Sequence, residues 1–279
     1  MSISLPTYTR LELPLLGRRE RVRAIIATGL RREFRRPAAI VVTAIGAAFT
    51  TITSIVLLFF APLLLPPGQR PDLTFFAVPA SNGFVLFFVS LMAAVIGAGL
   101  IADDMQSMAF TLYMSRPITQ TDYLLAKAAI LAPLVAMVTI VPLLLTALVA
   151  ALLGRVSWTI AVEAMGISLV IGGLLTAFYT AVTLFLSSLT RRKGIAAAGV
   201  FAVNFGLTVP AGVLAERIGN ASLLYLSPWD DYVAVANVAF GATPSAIDWP
   251  AALAVLLGVT VLAAFVTYIR MRAVEVITG

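Results

Sequence analysis

Residues 103–127 read DDMQSMAFTLYMSRPITQTDYLLAK, and the fold turns on how this run is interpreted. Asp103 and Asp104 close one long apolar segment, and Lys127 enters the next. Between them Met108, Phe110, Leu112 and Tyr113 predict a short apolar helix. Arg116-Pro117 then breaks it, since proline removes a donor and restricts the residue before it. Thr121-Asp122 reads as a cap for the following helix, because short oxygen-bearing side chains satisfy the first free N–H groups. Polar punctuation between two apolar runs marks an aqueous handle on a membrane domain, held by a partner on the cytoplasmic side.

Composition supports the membrane reading. The chain is 61% hydrophobic and 11% charged, with a mean hydropathy of +1.02. Soluble domains carry roughly 25% charged residues, and about 20 apolar residues cross a bilayer as a helix. Six such runs are expected, near 38–61, 82–102, 128–153, 159–189, 195–214 and 249–269. The fold class is therefore all-α integral membrane, with 1–37 as a lead-in and 38–279 as one six-span domain. Residues 232–247 are too short and too broken to cross, so a re-entrant or surface helix is expected between spans five and six. Pro133 and Pro142 are expected to kink span three.

Before span one, Val22, Ile25, Ile26, Leu30 and Phe34 recur at helical spacing, while Arg18, Arg19, Arg23 and their neighbours crowd the other face. Such a helix lies in the membrane plane with its guanidinium groups towards anionic headgroups; positive charge acting purely as a topology signal also accounts for it. The run lacks aromatic interleaving and abuts a span, which argues against nucleic acid. Nine arginines precede the first long apolar run, so that run reads as a retained span and not a cleaved signal. With both termini inside, sixteen of the nineteen Lys and Arg face the cytoplasm, and Arg70, Arg155 and Arg217 lie outside. That asymmetry fits a multi-pass protein of the plasma membrane.

The chemistry is sparse. With no Cys and no His, thiol catalysis, haem ligation and most zinc chemistry are excluded, and neither catalytic residues nor a bound metal is expected. Glu163 is the one acid inside an expected span and sits near its outer end. Ion-coupled carriers place ionisable groups at mid-membrane, which argues against a secondary transporter built from inverted repeats. A membrane scaffold without transport is the other alternative. No G-x-x-x-x-G-K-[ST] loop is present, so energy must come from a separate ATPase.

The handle also resembles the permease subunits of ABC-2 type transporters, whose pattern is approximately acid-x3-Gly-Thr-x7-Pro-x2-Arg-x6-Lys. Asp104, Pro117 and Lys127 stand at the matching spacing; Met108-Ala109 replaces Gly-Thr, and Gln120 replaces Arg. The six spans, the basic helix before span one and the Ser227-Pro228 step are similar to that family as well. The resemblance implies an ATP-driven exporter of two permease copies, identical or not, and two ATPase subunits that carry the ATP and Mg; this chain binds no cofactor. It further implies that residues 105–115 form a coupling helix. Met108, Phe110, Leu112 and Tyr113 would enter a groove on the ATPase, with Asp103, Asp104, Arg116, Pro117 and Lys127 around them. Arg191, Arg192 and Lys193 would make a second contact, and Asn204 is a position-based candidate for the substrate path.

Overall fold

The computed structural model describes residues 17–64, 71–109 and 118–278; for 62, 64 and 273–278 it describes the backbone alone. Helices make up all the regular structure among the described residues. Six are long and apolar enough to cross a membrane, as the hydropathy pattern predicts. Span one is Pro37–Leu64, span four Trp158–Leu189, span five Lys193–Ile218 and span six Trp249–Thr278.

Spans two and three are each interrupted. Span two runs as Gly83–Met92, a π-helical turn Ala93–Gly97, and Gly99–Gln106. Span three runs as Gln120–Thr139 and Val141–Leu152, with the break at Ile140. That break falls two residues before Pro142, as expected from the missing proline donor. Pro133 lies within an unbroken helix, so only one of the two prolines interrupts the span.

The charged end of the bundle differs from the expectation in two respects. The helix of span two does not stop at residue 102 but continues through Asp103 and Asp104 to Gln106. Its last turn therefore includes Met105, where the resemblance starts a separate coupling helix. Span three also begins earlier than its apolar run, at Gln120. The cap is Thr119 and not Thr121: the Thr119 side chain accepts from Asp122 N, and Asp122 accepts from Thr119 N at 3.2 Å. This reciprocal capping box satisfies two end donors.

At the opposite end a lid of short elements covers the bundle. A 3-10 turn Leu73–Phe76 and the helix Ala77–Ala80 follow span one, and the 3-10 helix Ala221–Leu226 and the helix Pro228–Ala239 follow span five. Twelve residues cannot cross a hydrocarbon core of about 30 Å, so the expected non-spanning element is the helix Pro228–Ala239. Ser227 caps it by accepting from Asp230 N, with Pro228 in its first turn. Phe76 and Phe240 are fully buried and meet with ring centroids 6.4 Å apart, joining the two parts of the lid. Residues 73–80 are thus a packed part of this lid.

Candidate functional site

The feet of spans two and three meet in a charged cluster, placed by helix periodicity. Tyr123 and Lys127 are one turn apart and so share a face of span three. That face meets Asp104. The Lys127 Nζ stands 2.6 Å from Asp104 Oδ2, the Tyr123 hydroxyl donates to the same oxygen at 2.8 Å, and the ammonium lies 5.2 Å from the Tyr123 ring centroid. Asp104 and Lys127 are each only 6% exposed. Their polar atoms therefore join the two spans instead of facing the solvent, as the resemblance alone would have them do.

Just beyond, Asp122 anchors the basic helix Arg18–Glu33. The Arg18 guanidinium donates to both Asp122 oxygens, Nε at 2.8 Å and Nη2 at 3.0 Å, in the bidentate geometry that suits a planar fork. Further along the same helix, a Cβ at Gly29 would lie 2.2 Å from Ile130 Cδ1 of span three. Glycine permits this close approach. Ile26 is half-buried, Leu30 packs on the bundle core, and Phe34 is exposed, while Arg19 and Arg23 are exposed and Arg18 is held by Asp122. Much of the apolar stripe thus leans on span three, with Arg19 and Arg23 on the outer face. Glu33, buried at the helix end, holds Arg36 at 2.8 Å and turns the chain into span one.

Two turns above the Asp104 cluster lies the π-helical segment Ala93–Gly97, where one extra residue per turn leaves backbone groups without their usual partners. Ser187 of span four takes them up. Its hydroxyl accepts from Ile101 N and Ala102 N, both at 3.0 Å, and donates to the Ala98 carbonyl at 2.7 Å. At Gly97 a Cβ would lie 2.4 Å from Thr183 Cγ2, so spans two and four are in close contact there. An irregular turn and the serine that bridges it thus sit between the charged foot and the rest of span two.

The other expected residues are scattered around this foot. Asp103 is half-buried, and its carbonyl accepts from the Ser107 hydroxyl. Met108 is exposed and has a positive φ of 58°. That is the left-handed region, in which only glycine is free of steric cost, and the family pattern has glycine at this position. Phe110, Leu112, Tyr113, Arg116 and Pro117 lie outside the described residues. Arg191, Arg192 and Lys193 are exposed at the start of span five. Asn204 is buried, and its amide donates to Ser90 Oγ at 2.8 Å, a bond between spans five and two. Glu163 is exposed near the start of span four. Among the described residues no group of acids could hold a metal.

Sequence reasoning passed over Tyr123, Ser187, Gly29 and Glu33. Tyr123 carried a signal, standing one turn before a lysine near an apolar run. Ser187 carried none, because most membrane serines bond their own helix: Ser90 to Leu86 O and Ser168 to Ala164 O do so here.

Six helices able to cross a membrane and a basic helix clamped to their charged end define a multi-pass membrane protein. The description "ABC-2 family transporter protein" matches residues 38–275, and the chain belongs to that family. No curated protein matches it. Membrane domains of this family are transport subunits, not enzymes, and they generally work with ABC ATPase partners.

Proposed function

We propose that this chain is the permease of an ATP-driven exporter, working as a dimer with two separate ATPase subunits at the plasma membrane. Both termini and the charged foot are cytoplasmic. ATP and Mg belong to the partners, which grip residues 107–119, with Arg191, Arg192 and Lys193 as a secondary contact. The observation that carries the reading is the Asp104–Lys127–Tyr123 cluster, which ties together the two helices from which that segment hangs. A push on the segment is then felt by both feet at once. The final turns of span two move with span three and pivot at the π-helical turn against Ser187, because packed helices shift between discrete arrangements and do not bend smoothly. The nucleotide-bound ATPase must bind one arrangement more tightly than the other; coupling of about 1–3 kcal/mol is the usual scale.

Spans one and five support a second copy. Phe59, Phe60, Leu63, Val209 and Val213 are all more than half exposed, and a partner permease would cover them. The test is purification of the tagged chain from its own cells. An ATPase that co-elutes, and whose activity falls with Phe110→Asp or Leu112→Asp, supports the proposal. A chain that purifies alone and ignores ATP rejects it in favour of a carrier or a scaffold.

A further inference from the structure

A groove separate from the charged foot runs along the outside of spans three, four and six. It has a volume of about 520 Å³, and its walls include Ala128 and Ala132 of span three, Gly173 and Ala177 of span four, and Ala264 and Tyr268 of span six. Ala177, Ala264 and Tyr268 are exposed, so it opens towards the space lipid fills, and a Cβ at Gly173 would meet nothing. The geometry points to a binding slot for one acyl chain of an anionic phospholipid from the leaflet on the basic side.

Length, apolar lining and charge select that occupant. From Thr121 to Ala132 the wall is roughly 16 Å long at about 1.5 Å per residue, close to half of an approximately 30 Å hydrocarbon core. The slot therefore spans one leaflet. Its lining is almost wholly apolar, which suits a hydrocarbon chain lying along it. Thr180, which also lines the groove, is 6% exposed, and its hydroxyl has no hydrogen-bond partner among the described residues. An ester carbonyl would satisfy it.

The mouth is at the basic end. Arg270 of span six donates to the carbonyls of Ser188 and Leu189 at the foot of span four. Arg272, one turn beyond Tyr268, is exposed there. Juxtamembrane cations favour anionic headgroups by about 1 kcal/mol each, so the phosphate belongs beside Arg272.

The leaflet's identity as cytoplasmic rests on the orientation proposed above; the slot and its ligand class do not. The test places the purified full chain, with whatever co-purifies, in phosphatidylcholine nanodiscs. Each disc holds phosphatidylglycerol or phosphatidylcholine bearing a photoreactive acyl chain. Label is expected on residues 121–132, 173–184 and 264–268. Ala177→Trp and Ala264→Phe, both at exposed positions, should each cut it about tenfold, the loss that follows when roughly two methylenes fail to bury. Arg272→Gln should lower the preference for phosphatidylglycerol about fivefold, the equivalent of that single-cation contribution. Label spread evenly over all spans, label unaffected by either filling variant, or a cross-link between two copies through Ala177→Cys would overturn the slot. Equal labelling by the two lipids would overturn the anionic preference. A chain that shows the expected label but brings no ATPase with it refutes the proposed function and leaves the slot standing.

Discussion

Removing Lys127 measures how strongly the two feet are tied. At an effective dielectric of about 20, unit charges 2.6 Å apart attract by roughly 6 kcal/mol. Desolvation of two nearly buried ions offsets most of that, so the intact pair adds little net stability. Breaking it from one side is different, because an ion then stays buried without its counter-charge, at a cost of about 3–5 kcal/mol. Lys127→Met should therefore destabilise by that amount. At about 2–4 °C per kcal/mol for a chain of this order, melting should fall by about 10 °C. Asp104→Asn removes the charge while leaving an oxygen for the Tyr123 hydroxyl, and should cost somewhat less. The double variant should recover most of the loss, since neither ion remains. The assay is thermal unfolding of the purified chain in micelles, followed by tryptophan fluorescence, for all four members of the cycle. Additive single losses, within about 0.5 kcal/mol, would show that the two groups do not act as a pair and would refute the tie.

Other outcomes follow from the same geometry. Ser187→Ala strands Ile101 N, Ala102 N and the Ala98 carbonyl, each costing about 1–3 kcal/mol if left without water, and should lower the melting temperature; hydrogen exchange at Ile101 and Ala102 should rise, and an unchanged rate there would show that the latch is not closed. Gly29→Ala should undock the basic helix because of the clash with Ile130, measured as easier proteolysis near Arg23, and Ile130→Ala in the same chain should restore protection. Met108→Gly should gain about 1 kcal/mol by relieving the positive φ, whereas Met108→Val, β-branched, should lose stability; the melting temperatures rank the three. In the lid, burial and the neighbouring Asp230 push the Asp231 carboxyl up to about 7. The folded state then binds a proton that the unfolded chain, titrating near 4, has already released. Stability should fall as pH rises from about 4 to 7, and Asp231→Asn should flatten that fall in a pH series of melting curves.

How much of this was legible depends on the range of the signal. Helix count follows from runs of 20 or more apolar residues, a local property, so all six spans could be read directly. The capping box at Thr119 is equally local, but Thr121-Asp122 stands nearer the apolar run and carries the same residue types. The cap stands two residues before Thr121, where Arg18 bonds Thr119 and Asp122. Asp104 and Lys127 stood out as family-pattern positions, but their partnership did not. Hydropathy treats every ionisable residue near a span end as facing water, whereas a carboxylate and an ammonium can neutralise one another behind the helix surface. The π-helical turn left even less trace. Ala93–Gly97 is ordinary apolar sequence, and its irregular hydrogen bonding is maintained by a serine contributed from span four.

The positions of these features determine where movement can go. The basic helix is fixed to span three at Asp122 and Ile130, and span three is fixed to span two at Asp104, so these elements form one rigid foot. Above it, span two leaves α-helical bonding at Ala93–Gly97, and just below that turn a single hydroxyl, Ser187, bridges the Ala98 carbonyl to Ile101 N and Ala102 N. Under the proposed function, displacement of the foot is absorbed at that turn before it reaches the Ser90–Asn204 bond between spans two and five. If the pivot lies there, stiffening it should separate catalysis from transport. A change such as Gly97→Ala, which drives a methyl into Thr183, should leave the ATPase partners hydrolysing while export falls. Equal loss of both activities would place the flexible point elsewhere in the chain.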